Sequence, residues 1–311
     1  MSSARYGAQA PKIAARLPVR PAATVLVATT MAFILIVNTV AAALSTTATE
    51  GFVKSSAGHK LWYRIANPKS LDAAPPLVVC HGGPQVPSDY LFDLEQLEKR
   101  AVIFYDQLGC GRSESPPADS GAYGVQQSVE DLRAVLSEVG LSDAGSHHLY
   151  GQSWGGLLAF SHLTTDDACM PLSLTLSNTP SDVSLVEAEA GRLIEACGGE
   201  VSDFMALHNL RDAPADGHPR INAAYAHAGS TWRGSSAIAG LAAGKDAMKG
   251  VTCPTLVMRG EHDFCTAACV EGWSGLPDVK FETLDGASHH ALLEKPEEYL
   301  RTLDSFLRLR E

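Results

Sequence analysis

Five short runs of apolar residues follow one another along the chain without the polar alternation of a strand that keeps one face in water. They lie at 77–80, 102–105, 149–150, 172–176 and 255–258. Unbroken runs of this length are typical of strands that are covered on both faces. Helical stretches separate the runs, the clearest of them at 125–139. Strands in alternation with helices predict an α/β protein with a mostly parallel central sheet flanked by helices.

The two ends of this pattern predict further elements. Residues 52–57 and 61–66 alternate like a strand pair with Gly58 at the turn, which indicates an antiparallel start to the sheet. A last strand at 281–284 and an amphipathic helix at 296–309 close the chain.

One region interrupts the strand–helix alternation. Residues 180–250 are rich in Ala, Gly, His and acidic residues, have a helical start at 185–196 and contain no buried-strand run. We therefore predict a core formed by 50–179 and 251–311, with 180–250 inserted as a short helical cap over the carboxyl edge of the sheet.

The first 49 residues are interpreted as a targeting leader or membrane anchor. They carry four basic residues, no acidic residue and an apolar stretch at 22–44. That stretch is long enough to span a bilayer, and Ala41, Ala42 and Ala43 offer a small-residue cleavage site, so a retained anchor and a cleaved signal peptide are equal alternatives. We predict a secretory-pathway or membrane-anchored protein, with membrane association through 22–44. An organelle transit peptide is the alternative, because the basic segment is long for a signal sequence.

The charge of the remaining chain excludes one class of partner. Four of the 24 basic residues lie in the leader, which leaves 20 basic against 35 acidic residues in the rest. A body this acidic repels phosphate backbones, so nucleic acid is not an expected partner. A small cationic substrate is better tolerated.

The seven cysteines are predicted to be isolated thiols. Their number is odd, Cys80 ends an apolar run, and Cys110 lies inside a glycine turn. Cys265 and Cys269 stand at helical spacing, but no histidine and cysteine set at zinc spacing accompanies them. No metal is therefore predicted.

Ser153 is the predicted nucleophile. It lies in Gly151-Gln152-Ser153-Trp154-Gly155, directly after the run at 149–150 and before a helical stretch at 157–163. A serine that is lifted out on a tight strand-to-helix turn needs glycines two positions away on either side, because a side chain there would collide with neighbouring backbone. The amides at the start of the following helix also point at a developing oxyanion.

His289 is the predicted general base, since a serine hydroxyl is inert until a base takes its proton. It follows the last predicted strand and precedes the last predicted helix, and its neighbour His290 is the alternative. The other histidines are expected on the surface or in satisfied polar contacts: His59, His147, His148, His162, His208, His218, His227 and His262.

Asp263 is the predicted acid that orients the histidine. It lies in Gly260-Glu261-His262-Asp263, on the loop after the run at 255–258. Glu261 is the competitor, but it lies closer to the strand and is expected to face solvent. The chain order Ser153, Asp263, His289 resembles that of α/β hydrolases and differs from the two other well-known triad orders.

The oxyanion hole is predicted from two backbone amides, those of Gly83 and Trp154. Gly83 belongs to His81-Gly82-Gly83-Pro84, directly after the run at 77–80, where small residues let the backbone approach a substrate oxygen. A simple Gly-Pro turn is the alternative for this segment alone.

Three motifs together resemble the proline iminopeptidases and their relatives among the α/β hydrolases. In chain order they are His81-Gly82-Gly83-Pro84, the segment Asp106-Gln107-Leu108-Gly109-Cys110-Gly111-Arg112-Ser113, and Gly151-Gln152-Ser153-Trp154-Gly155-Gly156. The resemblance runs from Phe52 to the end, and it favours His289 over His290, because Leu292-Leu293-Glu294 follows at the family's spacing. It implies the α/β-hydrolase fold, with the middle motif as a structural loop. It also implies release of N-terminal residues, often proline, from short peptides or small amides, without metal or organic cofactor.

The chain departs from this family at two places. Gln85 stands where a glycine normally follows the first motif, and the predicted cap is short. Family peptidases hold the substrate amine with acidic residues of the cap, and four acidic side chains are available here: Glu187, Glu189, Glu195 and Asp203.

These departures keep other functions open. A carboxylesterase or other acyl hydrolase would use the same triad, and a non-catalytic ligand-binding member of the fold is a third hypothesis. Dehalogenase and epoxide hydrolase chemistry is disfavoured, because those relatives place an aspartate where Ser153 stands. The sequence predicts no oligomeric state.

Overall fold

A computed structural model describes residues 48–211 and 213–311 of the 311-residue chain. Within them, eight strands form one sheet in the order β1-β2-β4-β3-β5-β6-β7-β8. β2 pairs antiparallel with β1 and β4, and all other neighbours pair parallel. The strands are β1 Thr49–Lys54, β2 Lys60–Ala66, β3 Leu77–Cys80, β4 Val102–Tyr105, β5 His148–Gln152, β6 Ser173–Ser177, β7 Thr255–Gly260 and β8 Val279–Leu284.

Helices flank this sheet, which confirms the predicted fold class. They are α1 Val125–Glu138, α2 Trp154–Leu163, α3 Val183–Ala196, α4 Val201–Phe204, α5 Pro219–Ala226, α6 Lys245–Met248, α7 Ala267–Val270, α8 Ala291–Glu294 and α9 Pro296–Arg308. Residues Ser88–Gln96 form 3₁₀ helix, and Met205–Asn209 form a π-helical turn.

Both faces of the central strands are buried, as their unbroken apolar runs predict. Along β3, Val78 and Cys80 join the core on the side of α1 and α2, while Leu77 and Val79 join the core on the side of α9. Successive side chains of a strand point to opposite faces, so a strand that is covered on both sides must be apolar at every position.

The strand order places the loop after β3 and the loop after β5 at the same edge of the sheet. β3 lies between β4 and β5, with Val78 paired to Ile103 on one side and to Leu149 on the other. The chain leaves β3 in one direction and returns across it to β5, so the loops that follow these strands meet at a topological switch point, where open α/β sheets bind ligands.

The first strand differs in extent from the predicted 52–57. β1 ends at Lys54, because Ser55 begins a turn in which its amide donates to the carbonyl of His59 at 2.9 Å and its own carbonyl accepts from Gly58 at 2.8 Å. At its other end the strand begins at Thr49, the last residue of the predicted leader.

The apolar stretch at 22–44 lies outside the described residues, as does the predicted leader except for positions 48 and 49. Among the helices that the structure does describe, none combines the length and the apolar character needed to cross a bilayer.

The region 180–250 contains α3 to α6 together with the π-helical turn. Arg220 on α5 forms an ion pair with Asp93 of the 88–96 segment, 2.7 Å from nitrogen to oxygen. An isolated antiparallel bridge between Asp182 and Ala242 joins the two ends of the same region.

Candidate active site

Ser153 occupies the turn between β5 and α2. The strand ends at Gln152, the helix begins at Trp154, and Ser153 between them has φ 55° and ψ −122°. This is a strained conformation for a residue with a side chain, and it persists because the strand and the helix on either side fix it. The side chain is half-buried and lines a cavity.

Close backbone contacts explain the two glycines of this turn. A β-carbon on Gly151 would lie 2.2 Å from the carbonyl oxygen of Gly155, and one on Gly155 would lie 2.1 Å from that of Cys80. Because both obstacles are backbone atoms, no side-chain rotation relieves the collision.

We expect Gly155→Ala to destabilise the protein by about 2 to 3 kcal/mol, since the new methyl group forces α2 away from β3. Thermal or urea unfolding measures the change. Gly191→Ala is the matched control, because Gly191 lies inside α3 with nothing within 4 Å of its added carbon. It should raise stability by up to about 1 kcal/mol through helix propensity, and equal effects at both positions would contradict the packing argument.

Asp263 and His289 are in direct contact and both are buried. Oδ1 of Asp263 lies 2.8 Å from Nδ1 of His289 and also accepts the amide of Cys265 at 2.8 Å. Oδ2 accepts from Nδ2 of Asn178 at 2.7 Å. With an ionised acid, this arrangement holds the proton of a neutral imidazole on Nδ1 and leaves the lone pair on Nε2.

The far side of the His289 ring faces the serine turn. Nε2 lies 3.3 Å from Nε2 of Gln152, and the ring stacks on Phe264 with 4.0 Å between centroids. Within the described residues Ser153 Oγ makes no hydrogen bond, but Ser153 and His289 line the same cavity. Catalytic hydrogen bonds are often long before substrate binds.

One group of side chains is close enough to share a metal ion among the described residues: Asp263, Cys265 and His289. The hydrogen bonds from His289 and Asn178 already occupy both carboxylate oxygens, and burial raises the pKa of the Cys265 thiol well above its usual range. These donors therefore fit an oriented acid–histidine pair better than a metal centre.

The amides of Gly83 and Trp154 have no acceptor among the described residues. Both residues line one cavity together with Ser153. Two donors left open beside a serine can stabilise negative charge on a substrate oxygen.

The middle motif holds the two amide-bearing segments together. Gln107 donates through Nε2 to the carbonyl of His81 at 2.7 Å and accepts through Oε1 from the indole of Trp154 at 2.7 Å. Asp106 accepts from the backbone amides of Ser88 and Arg112, at 3.0 Å each. The contacts are those of a structural loop beside the site.

The two competitors for the predicted acid and base positions make other contacts. Glu261 is exposed and accepts the amide of Gly286 at 2.9 Å. His290 is buried edge-on against Tyr90, and burial, with the neighbouring His289, holds the pKa of His290 well below its usual range. Among the described residues, neither is hydrogen-bonded to the Asp263 carboxylate.

For three other histidines the prediction of surface positions or satisfied contacts is wrong. His147, His148 and His162 are buried, and each has one ring nitrogen without a hydrogen-bond partner in the described structure. Burial lowers the pKa of His147 and of His162 to about 4 and that of His148 to about 3.

All seven cysteines lie within the described residues and are free, as predicted.

Region 180–250, which the sequence predicts as a cap, is hydrogen-bonded to the loop that carries His289. The carbonyl of His208 accepts the amide of His289 at 3.3 Å, and that of Asn209 accepts the amide of His290 at 3.1 Å. The His208 ring donates from Nδ1 to the carbonyl of His262 at 2.7 Å. We call cap residues 208–209, with these contacts, the cap seam.

Two cavities meet at Ser153. The larger, about 550 Å³, has a mostly apolar lining from α2, α3 and the 204–205 segment, with Glu187 at its wall. The smaller, about 190 Å³, is lined by His289 and His290, by Tyr225 and by Arg233. Of the four cap acids singled out in the sequence, only Glu187 lines either of these two cavities in the described structure.

Sequence reasoning missed Asn178, Gln152 and Tyr90. Asn178 follows β6 directly, so a polar residue at the carboxyl end of a buried strand was the available signal. Tyr90 accepts the amide of Gly82 at 2.7 Å and donates to Oε1 of Gln152 at 2.7 Å. These bonds link the glycine loop to Gln152, which contacts His289. No local sequence pattern predicts them.

Comparisons with known proteins show which family the chain resembles. A family model described as "Alpha/beta hydrolase family" matches residues 77–302. A proline iminopeptidase of Lactobacillus helveticus is 29% identical over 285 residues, covering 80% of this chain and 95% of the relative.

Solved structures of similar proteins share the fold. A proline iminopeptidase of Mycobacterium smegmatis superimposes with a TM-score of 0.71 at 26% identity, over 84% of this chain and 98% of that one. An esterase of Exiguobacterium antarcticum shares the fold, with a TM-score of 0.65 at 20% identity over 83% of this chain and 98% of that one.

Proposed function

This chain belongs to the alpha/beta hydrolase family, and on that premise we propose that it is a serine hydrolase with Ser153 as nucleophile, His289 as general base and Asp263 as the orienting acid. We further propose that it acts as an aminopeptidase or amidase on small peptides or amides, in the manner of proline iminopeptidases. The observation that most supports the serine-hydrolase assignment is the 2.8 Å contact between Asp263 and His289, because His289 lines the same cavity as Ser153.

Acylation follows from the positions of these groups. As Oγ of Ser153 bonds to the substrate carbonyl carbon, its proton passes to Nε2 of His289. The carbonyl oxygen takes the electron pair of its π bond, and the amides of Gly83 and Trp154 donate to it. Asp263 stays ionised and stabilises the imidazolium.

The second half returns the enzyme to its starting state. His289 gives the proton to the leaving nitrogen as the carbon–nitrogen bond breaks, which leaves an acyl group on Ser153. A water molecule then attacks the acyl carbon, His289 takes one of its protons, and the Ser153 oxygen recovers a proton as the acid departs. No metal or organic cofactor is needed in this sequence.

The position of the acyl group follows from the role of His289. The leaving atom must lie beside the histidine that protonates it, so the leaving group belongs in the smaller cavity, which His289 lines. The acyl group then belongs in the larger cavity. There Glu187 is the carboxylate in a mostly apolar wall, a position suited to the free amine of an N-terminal residue.

A substrate panel tests the peptidase proposal. Purified protein should cleave aminoacyl arylamides with a free amine faster than their N-acetylated counterparts. Cleavage of p-nitrophenyl acetate without cleavage of any aminoacyl arylamide would exclude the peptidase activity and leave an acyl hydrolase that uses the same residues.

We expect Glu187→Gln to lower kcat/KM for prolyl p-nitroanilide about tenfold, because it removes the charge that faces the substrate ammonium. Steady-state kinetics measure this loss, and cleavage of p-nitrophenyl acetate, which has no amine, should be unaffected. Glu195→Gln is the matched control, since Glu195 is an exposed residue of the same helix outside both cavities. An equal loss in both variants, or for both substrates, would contradict a role in amine binding.

A further inference from the structure

We propose that Arg233 binds a carboxylate on the leaving group, so that the preferred substrates are dipeptides or other amides and esters whose leaving group ends in an acid. This inference rests on the proposed hydrolase function and specifies the substrate side that faces His289.

The smaller cavity has the charge such a group requires. Among the described residues that line it, Arg233 is the one with a permanent charge, and no acidic side chain is present. The same cavity offers the neutral polar side chains of Asn209 and Tyr225. A leaving group with a carboxylate would therefore meet one cation and uncharged hydrogen-bonding groups.

Arg233 is available for such a ligand. Within residues 48–211 and 213–311, no carboxylate lies at ion-pair distance from its guanidinium, whereas many of the described arginines form such pairs. Its guanidinium carbon lies 5.7 Å from the centroid of the Tyr225 ring. A guanidinium binds carboxylates through a planar fork of donors, which suits recognition in one orientation.

The backbone before Arg233 is fixed to the glycine loop beside Ser153. Oε1 of Gln85 accepts the amides of Thr231 and Trp232 at 3.2 and 3.0 Å, and the carbonyl of Gln85 accepts the amide of Gly229 at 2.9 Å. Gln85 is itself buried and has φ 65°, a left-handed conformation.

Gln85 therefore acts as a positioning residue for Arg233. Its side chain holds the amides of Thr231 and Trp232, and the ring of Trp232 packs edge-on against that of Trp154, with 5.3 Å between centroids. The residue that departs from the glycine of the resembling family is thus the one that holds this cap segment against the catalytic loop.

Two matched pairs of substrates test the proposal. The amide pair is prolyl-4-aminobenzoate and prolyl-4-aminobenzamide, and the ester pair is 4-acetoxybenzoate and 4-acetoxybenzamide. Within each pair only the charge of the leaving group changes. We measure the ratio of kcat/KM for the acid to kcat/KM for the amide, and we compare this ratio between variants so that the intrinsic reactivities cancel.

We expect Arg233→Gln to lower this ratio about tenfold, through KM rather than kcat. Arg233→Lys should keep part of the ratio. Gln85→Gly tolerates the left-handed φ but removes the side-chain contacts, so it should lower the ratio in the same direction by a smaller factor. Arg192→Gln is the charge-matched control, because Arg192 pairs with Glu189 and lines neither cavity.

The outcomes separate this inference from the proposed function. If only the ester pair is cleaved, the peptidase activity fails but the Arg233 ratio is still measured. An unchanged ratio in Arg233→Gln with either pair overturns the inference and leaves the hydrolase function standing. A tenfold fall in Arg192→Gln as well would mean a general charge effect and would also overturn it. If neither pair is cleaved, both proposals are wrong.

Discussion

The Ser153→Ala protein is expected to turn over its substrates slower than the wild type by about three orders of magnitude or more, with its fold intact. Without Oγ, His289 has no hydroxyl to deprotonate, and only direct attack by water remains. The measurement is kcat/KM with the best substrate of the panel, together with a thermal melt to show that the protein is folded. Labelling by a fluorophosphonate should disappear in the same variant.

Ser161→Ala is the control for this experiment, because Ser161 lies on the same helix, α2, but lines neither cavity. It should keep both the activity and the label. A Ser153→Ala protein that retained most of its activity, or a label found on another serine, would show that the nucleophile is assigned wrongly.

The second large effect is a loss of stability at acidic pH. The buried His147, His148 and His162 have pKa values of about 4, 3 and 4 in the folded protein, below the usual value of 6.5. The unfolded chain therefore takes up protons first, and the stability that these neutral rings contribute is present above about pH 6.5 and lost as the pH falls toward 4. At pH 5 the loss is about 2 kcal/mol for each histidine.

One buried acid opposes this loss. Burial raises the pKa of Asp131 to about 6, so the folded protein takes up that proton first and gains about 1 kcal/mol of stability between pH 7 and pH 5. We therefore expect a net loss of about 4 to 5 kcal/mol from these four groups, measured by urea unfolding at both pH values.

A variant isolates the contribution of one histidine. His162→Leu should reduce the difference between pH 7 and pH 5 by about 2 kcal/mol, whatever its effect on stability at pH 7. His227→Leu, at an exposed position, should keep the wild-type difference. If His162→Leu also keeps it, this histidine does not contribute to acid unfolding.

The sheet could be predicted from the sequence because burial on both faces leaves a local signature. The runs at 77–80 and 102–105 coincide with β3 and β4, and the helix predicted at 125–139 differs from α1 by one residue. The three residues proposed for the triad were also within reach, since each follows a predicted strand. Their convergence at one edge follows from the parallel arrangement alone.

Other contacts of the site were out of reach because they depend on tertiary register. Asn178 meets Asp263 across 85 residues of sequence, and Gln152 meets His289 across 137. The error at His148 has a more local cause. The apolar run at 149–150 is only two residues long, but the strand that contains it begins at His148, so the apolar pattern does not predict the burial of this polar first residue.

The cap seam limits how this protein can be re-engineered or can diverge. The amides of His289 and His290 donate to the carbonyls of His208 and Asn209, so region 180–250 supplies part of the scaffold that holds the loop of the proposed base. A chimaera with a foreign cap that lacks equivalent carbonyls would gain a new substrate-facing wall. It would also lose the two hydrogen bonds that hold the loop of His289. We expect productive grafts to exchange α3, which lines the larger cavity, and to keep 205–211 as recipient sequence.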